Sequence, residues 1–276
     1  LAEAQFKLAG SQLTLSPVEV ATEAGAKARV SGRWDVQTEA LEFEMKTGRM
    51  PLDDLLAAAR RLGVAPPGPL DHRCRDGEVS GALTFSRAAA DGGEESEDRD
   101  TWAGEVQVRR AVCALEGAAK PIRLQAGVLS LKKRGWALRK AEAASGDWAI
   151  SGDLLHVPGA GRPYRFSFTL QHASGASFDE FLQPALEPRR GFLDRTLRRR
   201  PAVPAWLRTR HAEGEIRIQH LELGGRAYAP VVARIYWDGV SVEMPDVTAR
   251  IEDGFFSGRA AVQLGGELPR YRLLGK

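Results

Sequence analysis

Apolar and polar residues alternate along most of this chain. Tyr164, Phe166, Phe168 and Leu170 are interleaved with Arg165, Ser167, Thr169 and Gln171, and Leu41, Phe43 and Met45 with Glu42 and Glu44. Val240, Val242 and Met244 flank Ser241 and Glu243; Val247, Ala249 and Ile251 flank Thr248 and Arg250. Shorter runs occur at 79–85, 106–108, 122–124, 129–131 and 216–218. Successive side chains of a strand point to opposite faces, so each run predicts a strand with one apolar and one polar face. Gly, Pro and Asp separate the runs, as at Asp238-Gly239 and Pro158-Gly159, and predict antiparallel turns. Strands recurring about every 8–12 residues predict a meander rather than βαβ units.

The rhythm breaks in a few places. Leu52, Leu55, Leu56, Ala59 and Leu62 recur at helical spacing between Pro51 and Gly63, which predicts a short amphipathic helix. Residues 178–186 predict a second, with Ser177 as its N-cap and Phe178, Phe181 and Leu182 on one face. A weaker helical stretch runs over 192–200, closed by Pro201. Residues 91–100 hold six acidic side chains and two glycines, the composition of a solvated hairpin loop.

An apolar-Ser-Gly-polar motif recurs at Val30–Arg33, Ile150–Asp153 and Phe256–Arg259, with a looser copy at Val79–Ala82. After the first two copies the chain passes through a clean amphipathic strand into a helical segment, as expected of a repeated supersecondary unit. This predicts three regions: a first strand-then-helix unit at 1–75, a second at 76–212 containing the acidic loop and an Arg-rich insertion at 189–210, and a β region at 213–276. The expected fold is mainly β: an elongated, curled antiparallel sheet of repeated strands, a groove or half-barrel, with two or three short amphipathic helices.

Composition narrows the functional classes. The 276 residues are 43% hydrophobic and 27% charged, enough apolar content to exclude a disordered polymer. No apolar run approaches the roughly 18 residues of a membrane-spanning helix. The net charge of +3 is small and the basic excess is local, unlike the concentrated basic face with interleaved aromatics of a nucleic-acid binder, so no nucleic-acid partner is expected. Cys74 and Cys113 fit neither a disulfide scaffold nor a zinc cluster; a pair or a buried thiol are both open. No phosphate-binding loop, H-E-x-x-H or G-x-S-x-G is present, and the five His are scattered. Glu42 and Glu44 belong to the polar side of a strand. No catalytic residue, metal or cofactor is expected. Leu1 stands where an initiator Met is usual and the chain closes in mid-pattern, so we expect a segment of something longer.

The last third carries a resemblance. Gly214-Glu215-Ile216-Arg217-Ile218 opens it, Leu221–Gly224, Val232–Ile235 and Gly239–Val242 follow, and Val247–Gly258 closes it with Gly254 and Gly258 in a G-x-x-x-G spacing. This series resembles the C-terminal region of the AsmA family of bacterial envelope proteins, over residues 213–276. Asp253 stands where the family often has the first of two glycines. The resemblance implies a periplasmic segment of an inner-membrane-anchored protein whose anchor, usually N-terminal, lies outside this chain. It also implies a long curled sheet whose hydrophobic groove takes part in phospholipid movement and outer-membrane biogenesis, with phospholipid and other envelope proteins as partners.

The physics of one-faced strands bears on that implication. Leaving ten large apolar side chains in water forgoes about 15–30 kcal/mol, more than the roughly 5–15 kcal/mol net stability of a domain. The apolar face is therefore covered, either by protein, as in a closed structural or interaction module assisting outer-membrane protein assembly, or in part by acyl chains. On the second reading the groove is lined by Leu41, Phe43, Met45, Tyr164, Phe166, Phe168, Leu170, Ile216 and Ile218. Eight Arg crowd into residues 189–210, and Arg195, Arg198 and Arg199 are the candidates for anionic headgroup contact; the plainer role of such a run is a solvated face.

Overall fold

A computed structural model describes residues 4–22, 25–61, 63–64, 68–70, 73–89, 99–178, 180, 205–251, 254–264 and 270–276. The chain is mainly β, with a 17-stranded mixed sheet that does not close on itself. Packing divides it into two compact units, one of residues 1–113 and 124–139, the other of 114–123 and 140–276.

Unit 1 runs through β1 (Phe6–Ala9), β2 (Gln12–Ala21), β3 (Lys27–Asp35), β4 (Leu41–Pro51), helix α1 (Leu52–Arg61), β5 (Cys74–Arg75), β6 (Glu78–Arg87) and β7 (Asp100–Cys113). β8 (Ile122–Lys133), foreseen as two short runs, is one strand, and β9 (Gly135–Ser145) follows it; of these two strands, residues 124–139 belong to unit 1 and the rest to unit 2. Neighbours β1 to β4 pair antiparallel in chain order, β4 pairs with β6, and β7 takes both β6 and β5. The register lines up Phe6, Leu15, Gly32, Phe43, Phe85 and Trp102 across the strands as one row. The predicted helix is present as α1. Asp53 and Asp54 in its first turn and Arg60 and Arg61 in its last complement its dipole. Leu52, Leu55, Leu56 and Ala59 are its buried stripe, set against a core that includes the wholly buried Leu83 and Phe85. Cys74 and Cys113 face each other across β5 and β7 and form a disulfide. Asp100, foreseen at the end of a loop, instead opens β7 opposite Arg87, which holds it with two hydrogen bonds of 2.6 and 2.8 Å.

Unit 2 contains β10 (Trp148–His156), β11 (Tyr164–Ser174), a short helix α2 (Ala205–Arg208), β12 (His211–Leu223), β13 (Arg226–Tyr228), β14 (Val231–Asp238), β15 (Ser241–Ile251), β16 (Gly254–Gln263) and β17 (Arg270–Gly275). Its pairs are antiparallel with one correction to the all-antiparallel expectation: β11 and β12 run parallel, from Tyr164↔Ala212 to Ser174↔Glu222. A parallel return needs a connection of about a dozen residues or more, and the stretch 175–210 between these strands supplies it. The Asp238-Gly239 and Pro158-Gly159 turns fall where predicted, with Gly239 and Gly159 at positive φ. Trp148, Leu170, Ala173, Ile218, Leu221, Val231 and Ala249 form the unit's core cluster. Of the helix foreseen at 178–186, Phe178 and Glu180 are described, and residues 175–178 are helical. The remainder, and the helix foreseen at 192–200, lie outside the described residues.

Three bulges keep the apolar residues on one face. In β2 the apolar parity changes from Leu13 and Leu15 to Val18 and Val20, and the register shifts between Leu15 and Val18. β4 does the same between Thr47 and Met50, and β15 between Met244 and Val247. One extra residue rotates the strand, so an alternation that switches parity still delivers a continuous face. Pro17 and Pro245 sit in two of these bulges, where a missing backbone donor costs least.

Candidate functional site

The residues foreseen as groove lining fall into two groups, one in each unit. In unit 1, Leu41, Phe43 and Met45 project from β4 on the same side as α1. They border an apolar groove of about 280 Å³ whose other walls include Leu13, Leu15, Trp34, Leu55 and Ala58. Gly32 of the first apolar-Ser-Gly motif sits in the row between Leu15 and Phe43, and contributes no side chain to the face. A Cβ built there would lie 2.9 Å from the Glu42 carbonyl oxygen and 3.2 Å from the Phe43 Cβ. Phe43 and Trp102 of the groove lining pack with the buried Phe85 as three aromatic pairs with centroids 5.1–5.7 Å apart. The rim is strongly exposed for its apolarity: Phe6 is 62% and Trp34 44% accessible. Met45 is buried, and Leu41 and Phe43 are half-buried.

In unit 2 the candidates separate by depth. Leu170 and Ile218 are opposed in register and buried at the centre of the core cluster. Phe168 and Ile216, also opposed, are half-buried against that cluster. Phe166 stacks on Phe168 at 5.3 Å with near-parallel rings, and Tyr164 lies at the exposed end of the row. Gly214 stands opposite Phe166, where a Cβ would come within 2.6 Å of the ring. The aromatic therefore lies flat over the glycine, a cross-strand arrangement that compensates for the missing side chain.

The headgroup candidates Arg195, Arg198 and Arg199 lie outside the described residues. Among those described, several cationic side chains of unit 2 are engaged by carboxylates. Arg162 forms a fork on the Asp238 carboxylate, which also meets His211 Nδ1 at 3.2 Å, and Arg165 Nε donates to Glu213 at 2.9 Å. The Arg162 guanidinium first, and His211 after it, hold the Asp238 carboxyl below the usual range. Sequence reasoning passed over two features. One is the Arg210 guanidinium, whose Cζ lies over the Trp206 and Trp237 rings at 5.0 and 5.5 Å from their centroids. The other is the edge strand β1, whose Phe6 and Leu8 continue the apolar rows. The second was legible as a short alternation, Phe6-Lys7-Leu8; the first joins residues from two elements and has no local signal. No three His, Cys, Asp or Glu side chains gather as a metal set among the described residues.

No family model, no curated protein and no solved structure matches this chain. The class defined by the fold and the groove is a one-faced β-sheet protein with apolar rows that its own helices cover in part.

Proposed function

We propose that this chain is a non-enzymatic, lipid-handling segment of an AsmA-like envelope protein, holding phospholipid acyl chains in the periplasm on their way between membranes. The observation that carries the reading is the groove beside α1. It is about 280 Å³ in volume, near the small end of ligand sites, and its walls are aliphatic and aromatic apart from the Ser31-Gly32-Arg33 segment of β3. Such a space favours a hydrocarbon chain, each buried methylene contributing about 0.8 kcal/mol relative to water. A chain passing from a bilayer into it exchanges one apolar setting for another, so no energy-transducing motif is required. The Cys74–Cys113 disulfide supports an oxidising compartment such as the periplasm. The burial of Leu170 and Ile218 favours the second reading for unit 2, a closed structural module in which those side chains serve the core alone.

The test is native mass spectrometry with lipid extraction on the chain secreted to the periplasm of a Gram-negative host. Ala58 lines the groove and is exposed, so Ala58→Trp fills the mouth without touching the core. Co-purified phospholipid that falls several-fold in Ala58→Trp, with an unchanged melting curve, is expected. A lipid-free wild-type chain, or equal lipid in both proteins, overturns the reading and leaves the closed module.

A further inference from the structure

The parallel pairing of β11 and β12 brings together two histidines that are distant in sequence. His172 and His220 are direct register partners. Both strands change parity just before them: Leu170 and Ala173, three residues apart, are both buried, and so are Ile218 and Leu221. The two strands switch at the same level, so the register survives the change. His172 and His220 therefore emerge side by side on the face opposite Ala173 and Leu221, and both are exposed. Ser174 and Glu222, also register partners, follow them along this outer face. Thr169 and Arg217 precede them, so one carboxylate and one guanidinium frame the pair. The other described histidines have contacts of their own, His211 with Asp238 and His156 with the Tyr164 ring. Both cysteines are consumed by the disulfide, so no thiolate competes for a soft cation.

We propose that His172 and His220 form a two-imidazole site for a borderline divalent transition metal, Cu²⁺ or Zn²⁺, with water in its remaining positions. Adjacent strands lie about 4.8 Å apart. Two imidazoles that leave neighbouring strands on the same side can therefore converge on one ion at the roughly 2.0–2.1 Å of a metal–nitrogen bond. Neutral imidazole suits these ions, whereas Mg²⁺ and Ca²⁺ take oxygen ligands. Cu²⁺ binds the more tightly of the two proposed ions. The site lies on the outward face of unit 2 and is independent of the acyl-chain reading. An ion bound there ties β11 to β12 in the folded state, and so stabilises it by mass action.

The experiment is calorimetric titration of the untagged full chain with CuCl₂, ZnCl₂ and MgCl₂, read beside melting curves. The wild type is expected to bind one Cu²⁺, to bind Zn²⁺ more weakly, and to ignore Mg²⁺. His172→Ala and His220→Ala each lower Cu²⁺ affinity about tenfold or more, since losing a ligand costs at least what losing a supporting contact does. Each also removes the rise in melting temperature that Zn²⁺ gives the wild type. His211→Ala leaves the affinity within about twofold. A reading that needs no variant is the nuclear magnetic resonance of the imidazole ring protons, where Cu²⁺ broadens His172 and His220 together. Absence of binding at about 1 mM of either transition metal, or Mg²⁺ binding as tightly as Zn²⁺, overturns the site. Loss in only one of the two alanine variants shows a single-imidazole contact and overturns the pair, as does a loss caused by His211→Ala or broadening of only one of the two rings.

Discussion

At the scale of single residues, the recurring apolar-Ser-Gly motif has one structural use. Gly32 faces Phe43 across β3 and β4, and Gly152 faces Phe168 across β10 and β11. Gly258 faces both Val247 and Gly275, with the Phe256 ring 2.8 Å from where its Cβ would stand. In each copy the glycine lets a neighbouring backbone approach more closely than a side chain permits. Gly152 is the most constrained, because its φ of +147° excludes most L residues and an added Cβ would overlap the Ser167 carbonyl oxygen. We therefore expect Gly152→Ala to destabilise the fold by about 1–3 kcal/mol. Gly161, with open space around it and no unusual φ, serves as the control, and Gly161→Ala stays within about 0.5 kcal/mol. Chemical denaturation of the two variants reads this difference directly; similar midpoints would show that the motif carries no constraint.

At the scale of elements, much of the fold was legible, and the reasons for the rest are physical. The alternations at 41–45, 164–170 and 240–251 name their strands, and the spacing of Leu52, Leu55, Leu56 and Ala59 names α1, because periodicity is a local property. The switch of parity between Met244 and Val247 was visible as two separate runs; that they are one strand follows only from the bulge that absorbs an extra residue. The parallel pairing of β11 and β12 and the Cys74–Cys113 pair are long-range contacts with no local signature. For the candidate site, apolar identity was readable, but depth was not: Phe168 and Leu170 look alike in sequence, yet Leu170 is buried within the core cluster and Phe168 is half-buried against it.

The bulge in β4 also sets up a charge cluster. Arg49, within it, and Arg110 of β7 both bind the Glu78 carboxylate of β6, joining three strands. The Arg49 hydrogen bond first, with Arg110 adding to it, holds the Glu78 pKa below its ordinary value. A depressed folded-state pKa means that the unfolded chain takes up the proton first as pH falls. The stabilisation is thus fully present above the unfolded value of about 4.3 and is lost as pH falls through the folded one. Glu78→Gln is expected to flatten the decline in melting temperature between about pH 5 and pH 3 relative to wild type. Parallel curves for the two proteins would show that the cluster makes no contribution.

At the scale of the whole molecule, a net charge of +3 on 276 residues leaves little long-range field to attract a polyanion, so specificity has to come from surfaces. The surfaces described include apolar rows and a groove beside α1, which on the proposed reading take an amphiphile. Whether unit 1 keeps its groove depends on the elements around β5, β6 and β7, and there the disulfide matters. It joins residues 39 apart in sequence, and closing a loop of that size in the unfolded chain stabilises a fold by about 2–4 kcal/mol. Cys74 lies between α1 and β6, so the link also restrains the segment that follows the helix. Reduction, or the double change of Cys74 and Cys113 to Ser, is expected to lower stability by that amount. The loss should appear as faster amide hydrogen exchange in β6, β7 and α1. The consequence for function is specific: on the proposed reading, reduced protein retains less lipid after purification than oxidised protein. Exchange rates and lipid content that are both insensitive to reduction would show that hydrophobic packing of Leu52, Leu56, Leu83 and Phe85 holds the groove open by itself.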